Sequence, residues 1–125
     1  MTQKVELSVP ADPQFARCVR MCAASLGVAC GMSVDEIEDI RMAAEESFIM
    51  ACATGVTTCD IAFEICKSHM AMVIAMDEAA EAKDDPSVQY AGLLLEAVCD
   101  EYEIVEEDGH VHMHIAKYVG GVHGA

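Results

Sequence analysis

Positive charge is scarce in this chain: 7 lysines and arginines stand against 22 aspartates and glutamates, for a formal net charge of −15. An excess of that size repels nucleic-acid phosphates and anionic lipid head groups within a Debye length, about 8 Å at physiological ionic strength. Direct nucleic-acid binding and membrane-surface binding are disfavoured on that ground. Long apolar runs are missing too. Stretches such as MAMVIAM at residues 70–76 fall well short of the roughly 20 residues that a membrane-spanning helix needs. The opening MTQKVELSVP carries no basic stretch followed by an apolar one, so no secretory signal is read there and the expected compartment is the cytoplasm. There is no C-x-x-C pair among the 7 cysteines, and their odd number argues against a disulfide framework. Cys18 and Cys22, four apart on a predicted helix, share a face as two zinc ligands would. With no second pair to complete a site, reduced thiols acting as small hydrophobes are the simpler reading.

What is present is a large apolar fraction, 54% of 125 residues, enough for one core in one domain over residues 1–119, with residues 120–125 as a flexible tail. Residues 4–9 alternate in the manner of a half-buried strand, with Val5, Leu7 and Val9 on one side. Asp12-Pro13 then reads as a helix N-cap and first position, and Phe15, Val19, Cys22 and Leu26 recur at helical spacing up to Gly27 or Gly31. Ser33-Val34-Asp35-Glu36 is a capping box opening a second helix over residues 34–53, stopped by Gly55. Residues 56–66 and 69–76 have strand character around a turn at Lys67-Ser68, and the acidic residues 77–87 read as a loop. Residues 88–99 predict a short helix with Tyr90, Leu94 and Ala97 or Val98 inward. Residues 101–106 and 110–118 predict a hairpin turning at Glu107-Asp108-Gly109. The expected class is α+β, a two-layer sandwich in the order β-α-α-β-β-α-β-β.

The second helix holds the main chemical question. A projection at about 100° per residue puts Ile37, Ile40, Ala44, Phe48 and Ala51 on one core face. Glu46 points nearly opposite, among Met42, Ile49, Met50 and Ala53, where a carboxylate in an apolar stripe is a candidate base. The bland alternative is that these apolar residues pack on a partner or another element while Glu46 accepts a backbone hydrogen bond or reaches the rim. Glu45 reads as an ordinary solvated residue.

The element order, together with DEIEDIRMAAEES at residues 35–47 and EAVCDEYEIVEEDGHVHMHIAKY at residues 96–118, resembles the anti-sigma factor and serine-protein-kinase branch of the GHKL ATPases, a fold shared with gyrase and histidine kinases. The resemblance spans nearly the whole chain and implies a mixed sheet packed on helices. It implies a catalytic base at Glu46 and, four residues on, a magnesium-holding asparagine whose position is Met50 here. It also implies an adenine-reading aspartate at Asp77, followed in the family by glycines but here by Glu78, Ala79, Ala80 and Glu81. Phosphate-facing glycines lead into the family's next helix; those positions fall at Gln89 and Ala91, and Gly92 matches only after a one-residue slip. The resemblance thus implies a degenerate member that binds ATP or ADP weakly, without magnesium, or has lost nucleotide and works by binding a protein, a sigma-like factor or an antagonist domain. It also implies dimers, for which a methionine-rich surface at Met42 and Met50 is suited.

Two further functions stay in play. One is an active Mg·ATP-dependent serine-protein kinase using Glu46. The other is a metal-binding module: His110, His112 and His114 alternate along one strand, two imidazoles at i and i+2 can share a zinc or nickel ion, and Glu103 or Glu106 on the neighbouring strand is the candidate third ligand. The bland reading of the histidines is an exposed sheet face, with a pH-sensitive surface as a further option.

Overall fold

Alternation of apolar residues and two well-formed caps decide where the elements begin. A computed structural model describes residues 2–76 and 86–121. Asp77, the rest of the acidic segment to residue 85, and residues 122–125 of the expected tail lie outside the described residues.

Strand β1 (Gln3–Pro10) turns its Val5, Leu7 and Val9 inward. Asp12 then accepts a hydrogen bond from the Gln14 amide at 3.0 Å and starts a single 3-10 turn, Pro13–Phe15, that runs into helix α1 (Ala16–Ala29). That helix passes through Gly27 because Gly27 is where α1 and the next helix touch. A Cβ there would lie 3.3 Å from Cγ1 of Ile37 and 3.4 Å from Sδ of Met32. Gly31, at φ +79, ends the turn in a conformation that L side chains avoid. Helix α2 (Val34–Ala53) opens on the capping box: the Glu36 amide donates to the Ser33 hydroxyl at 3.2 Å, and the Ser33 amide donates to the Glu36 carboxylate at 2.8 Å.

Strands β2 (Thr58–Ile65) and β3 (His69–Met76) form a hairpin, helix α3 (Pro86–Val98) crosses over, and strands β4 (Glu101–Glu107) and β5 (His110–Tyr118) close the fold with a second hairpin. Its turn is Asp108-Gly109 with φ of 52° and 79°, the paired left-handed geometry that Asp-Gly supplies. The five strands lie in the order β1-β2-β3-β5-β4, and every neighbouring pair is antiparallel. The expected mixed sheet is therefore corrected. β5 inserts between β3 and β4, so the two strands that run parallel, joined through α3, never become hydrogen-bonded neighbours.

Three helices cover one face of this sheet, with α2 in the middle between α1 and α3. Burial by both flanking helices widens the inward arc of α2 to Ile40, Ala43, Ala44, Ser47, Phe48, Met50 and Ala51. Met50, expected on an outer apolar stripe, is only 3% exposed and belongs to the core. Phase also shifts in α3. Ala91 and Leu95 are fully buried while Tyr90 and Leu93 are exposed, one residue out of step with the expected face. The core is completed by alternate strand residues, Ile61 and Phe63 on β2, Met70, Met72 and Ile74 on β3, Met113 and Ile115 on β5. Phe48 and Phe63 are its largest fully buried side chains, and truncating either to Ala costs about 3–5 kcal/mol in such a setting.

Candidate functional site

Helix α2 carries both glutamates, and its packing separates them. Glu45 faces α1, where Arg20 lies 2.5 Å away with both side chains 29% exposed. It is an interhelical ion-pair partner, a correction to the expected solvated residue. Glu46 lies half-buried on the outer side. Burial first, and the neighbouring Glu45 charge second, push its carboxyl above the usual range, the direction expected of a carboxylate in apolar surroundings.

The residue one turn on does not complete a metal site. Met50 packs into the core cluster and offers a thioether, which cannot replace the amide oxygen that magnesium takes. Magnesium in the arrangement the family resemblance implies does not fit these residues. Gly92 sits on α3, and among the described residues the Tyr102 hydroxyl lies nearest, 3.7 Å from where a Cβ would stand. Against the described residues an alanine would fit there in ordinary contact. Asp77 lies outside the described residues. Among the described residues, three depressions are formed, and Glu46, Met50 and Gly92 line none of these three. The methionine surface expected for dimerisation reduces to Met42 alone, 41% exposed, since Met50 is interior.

Two of these depressions lie on the opposite side, on the sheet face that no helix of the described residues covers. Cross-strand register places small side chains along its centre: Ala62 of β2, Ala71, Val73 and Ala75 of β3, and Ala116 of β5. A depression of about 540 Å³ lies toward β1, bounded by Glu6, Asp60, Ala62, Ala75 and His112. A second, of about 710 Å³, lies toward β4, bounded by Ala71, Glu101, Glu103, His114 and Ala116. The two meet at Val73. Carboxylates rim both sides, with Glu6, Asp60 and Glu64 along one edge and Glu101, Glu103 and Glu107 along the other. Among the described strand residues, Lys4 is the single lysine or arginine on this face. The other, Lys117, turns inward to Asp39.

His110, His112 and His114 project from this face, with successive ring centroids 6.5 and 6.4 Å apart. Glu103 stands opposite His114 in the register, whereas Glu106 pairs with Val111 and points to the helix side, so Glu106 is not available to the histidines. Among the described residues no group of three His, Cys, Asp or Glu side chains is arranged to hold a metal ion. Sequence reasoning reaches this face only as an exposed surface at the histidine strand and misses the alanine-floored valley beside it. Its signal lies in the small residues alternating along β3 and in the polar alternates of β1, β2 and β4. No helix of the described residues is long and apolar enough to cross a membrane. A scan against protein families returns no match, and a search of curated proteins returns no significant relative.

Proposed function

We propose that this protein is a regulatory binding module of the anti-sigma type, acting by docking a protein partner rather than by phosphoryl transfer. The observation that carries the reading is the uncovered sheet face, an alanine-floored valley of two joined depressions between two rows of carboxylates. A floor of small apolar side chains admits a ridge of a partner at close range, and the acidic rims select for basic residues flanking that ridge. The partner is a sigma-like factor or an antagonist domain presenting lysines and arginines beside an apolar stripe. The element order and the motifs at residues 35–47 and 96–118 support the family side of the reading. Met50 in the core supports the regulatory side, because the position one turn after Glu46 carries a thioether where magnesium would take an oxygen.

Calorimetric titration tests this with two sets of ligands: ADP and ATP with and without Mg²⁺, and any sigma-like factor or small antagonist domain encoded beside this protein. The expected result is partner binding that weakens as salt is raised and is lost in Val73→Glu, with weak or no nucleotide binding. Tight Mg·ATP binding with phosphate transfer to a serine of the partner replaces this reading with that of a serine-protein kinase.

A further inference from the structure

At the opposite end of the sheet from the Asp108-Gly109 turn, the β2–β3 hairpin gathers nucleophilic groups that the docking face does not use. Cys66 follows β2 directly, and its amide donates to the His69 carbonyl at 3.1 Å, closing the turn around Lys67-Ser68. Folding the turn this way points the Cys66 sulfur back at its own loop. The Ser68 hydroxyl lies 3.1 Å from Sγ, Nδ1 of His69 lies 3.2 Å away, and the Ser68 amide donates to it at 3.4 Å. Three polar groups thus converge on one sulfur. The Val119 amide donates to the Ser68 carbonyl at 2.8 Å, and the His69 ring packs against Tyr118 at 5.4 Å. The turn is therefore anchored to the end of β5.

A second cysteine meets the same turn. Cys30, the C-terminal cap of α1, is buried, and its sulfur lies 3.9 Å from the His69 carbonyl oxygen, the atom that the Cys66 sulfur approaches at 3.6 Å. Both cysteines line one depression of about 200 Å³, together with Gln3, Ala29, Ile65 and Lys67. The pocket is polar at the turn and open to small solutes.

The geometry points to Cys66 as a peroxide-reactive thiol, with Cys30 as the thiol that resolves it into a disulfide between α1 and the β2–β3 turn. The Cys66 thiolate attacks one oxygen of hydrogen peroxide; the O–O bond breaks and hydroxide leaves, is protonated to water, and a sulfenic acid remains. The Cys30 sulfur then attacks the Cys66 sulfur, the S–S bond forms as the S–O bond breaks, and the departing hydroxide takes the Cys30 proton as a second water. Two thiols are oxidised by two electrons in all, and one peroxide is reduced to two waters. The division of roles has an electrostatic basis. The Ser68 hydroxyl first, and the Ser68 amide next, hold the Cys66 thiol below its ordinary value, whereas burial pushes the Cys30 thiol up.

Cys18 provides an internal reference, being the exposed cysteine of the seven. In the folded protein, iodoacetamide is expected to modify Cys66 at least about threefold faster than Cys18, since thiolate fraction outweighs the accompanying loss of nucleophilicity. Ser68→Ala brings that ratio toward one. Stoichiometric hydrogen peroxide, followed by digestion and mass spectrometry, is expected to yield a Cys30–Cys66 linked peptide. In Cys30→Ser the same treatment leaves a sulfenic acid on Cys66, captured as its dimedone adduct. Alkylation of Cys66 no faster than that of Cys18 overturns the proposal, and so does peroxide that links other cysteines or none. The linked peptide is read in the unsubstituted protein, so a folding defect in either variant leaves the test intact.

Discussion

Lys117 is the perturbation that best tests how the helical layer is held to the sheet. It projects from the inner side of β5, is 12% exposed, and donates to Asp39 of α2 at 2.9 Å and to the Val98 carbonyl of α3 at 3.0 Å. One ammonium therefore ties the sheet to two helices. Val98 lies in the last turn of α3, where carbonyls have no partner within the helix. Lys117→Met keeps the aliphatic stem and removes only the donor. Losing the charge-assisted bond to the part-buried Val98 carbonyl costs about 1.5 kcal/mol. The ion pair with Asp39 adds about 0.5 kcal/mol, discounted because that carboxylate is 37% exposed and screened. Relief of the buried ammonium's desolvation offsets part of this, leaving a net loss of about 1.5 kcal/mol. In urea that appears as a midpoint lowered by about 1 M at unchanged slope. A double-mutant cycle with Asp39→Asn should return a coupling of about 0.5 kcal/mol. A Lys117→Met midpoint within error of the parent refutes the assignment, because it means the two contacts contribute nothing net.

Three other outcomes are expected. Glu36 holds the Ser33 amide and also accepts from the Gly120 amide at 2.6 Å, and the Ser33 backbone bond lowers its carboxyl below the usual range. Its stabilisation is therefore present above the unfolded carboxyl value and lost as pH falls through the folded one. Glu36→Ala should cost about 1 kcal/mol at neutral pH, a gap that closes in acid unfolding titrations. Cys59 is fully buried, and its thiol is pushed up to about 12, first by burial. Stability is then complete below the unfolded thiol value and falls as pH rises toward 12, by about 2 kcal/mol at pH 10, a decline that denaturant titrations should find reduced in Cys59→Ala. Glu46 has a raised carboxyl value, so its favourable contribution belongs to the protonated form and is lost as pH rises through the folded value. Glu46→Gln should melt higher than the parent at neutral pH, with the gain vanishing in acid. An unchanged or lower melting temperature at neutral pH counts against burial as the cause.

Local chemistry was legible where one signal acted alone. The Ser33-to-Glu36 box, the Asp12 cap and the Asp108-Gly109 turn each follow from a few residues and stand where those residues put them. Helix faces were less legible, because their phase is set by what they pack on. α3 shows the failure: Tyr90 is far larger than Ala91, yet Ala91 and Leu95 face the core, because close packing against α2 selects a small residue at the contact and leaves Tyr90 and Leu93 outside. The alternation of β5 between histidines and apolar residues was readable, but its place between β3 and β4, and hence a sheet with only antiparallel neighbours, depended on a crossover that carries no local signal.

The candidate site was legible in residue type and misleading in direction. A projection of α2 alone puts Met50 and Glu46 together on an outer stripe, as though both faced one ligand. With α1 on one flank and α3 on the other, the inward arc expands until it takes in Met50 and stops short of Glu46. The two residues then answer to different constraints. Met50 is held by packing, where a polar amide would be buried at a cost of about 1–3 kcal/mol without a partner. Glu46 remains on the partly wet side, with a carboxyl that resists ionisation. An asparagine at position 50 would accordingly need a ligand to satisfy it, and a methionine needs none. Met50 thus lets the middle helix close its core with no ligand needed to satisfy it.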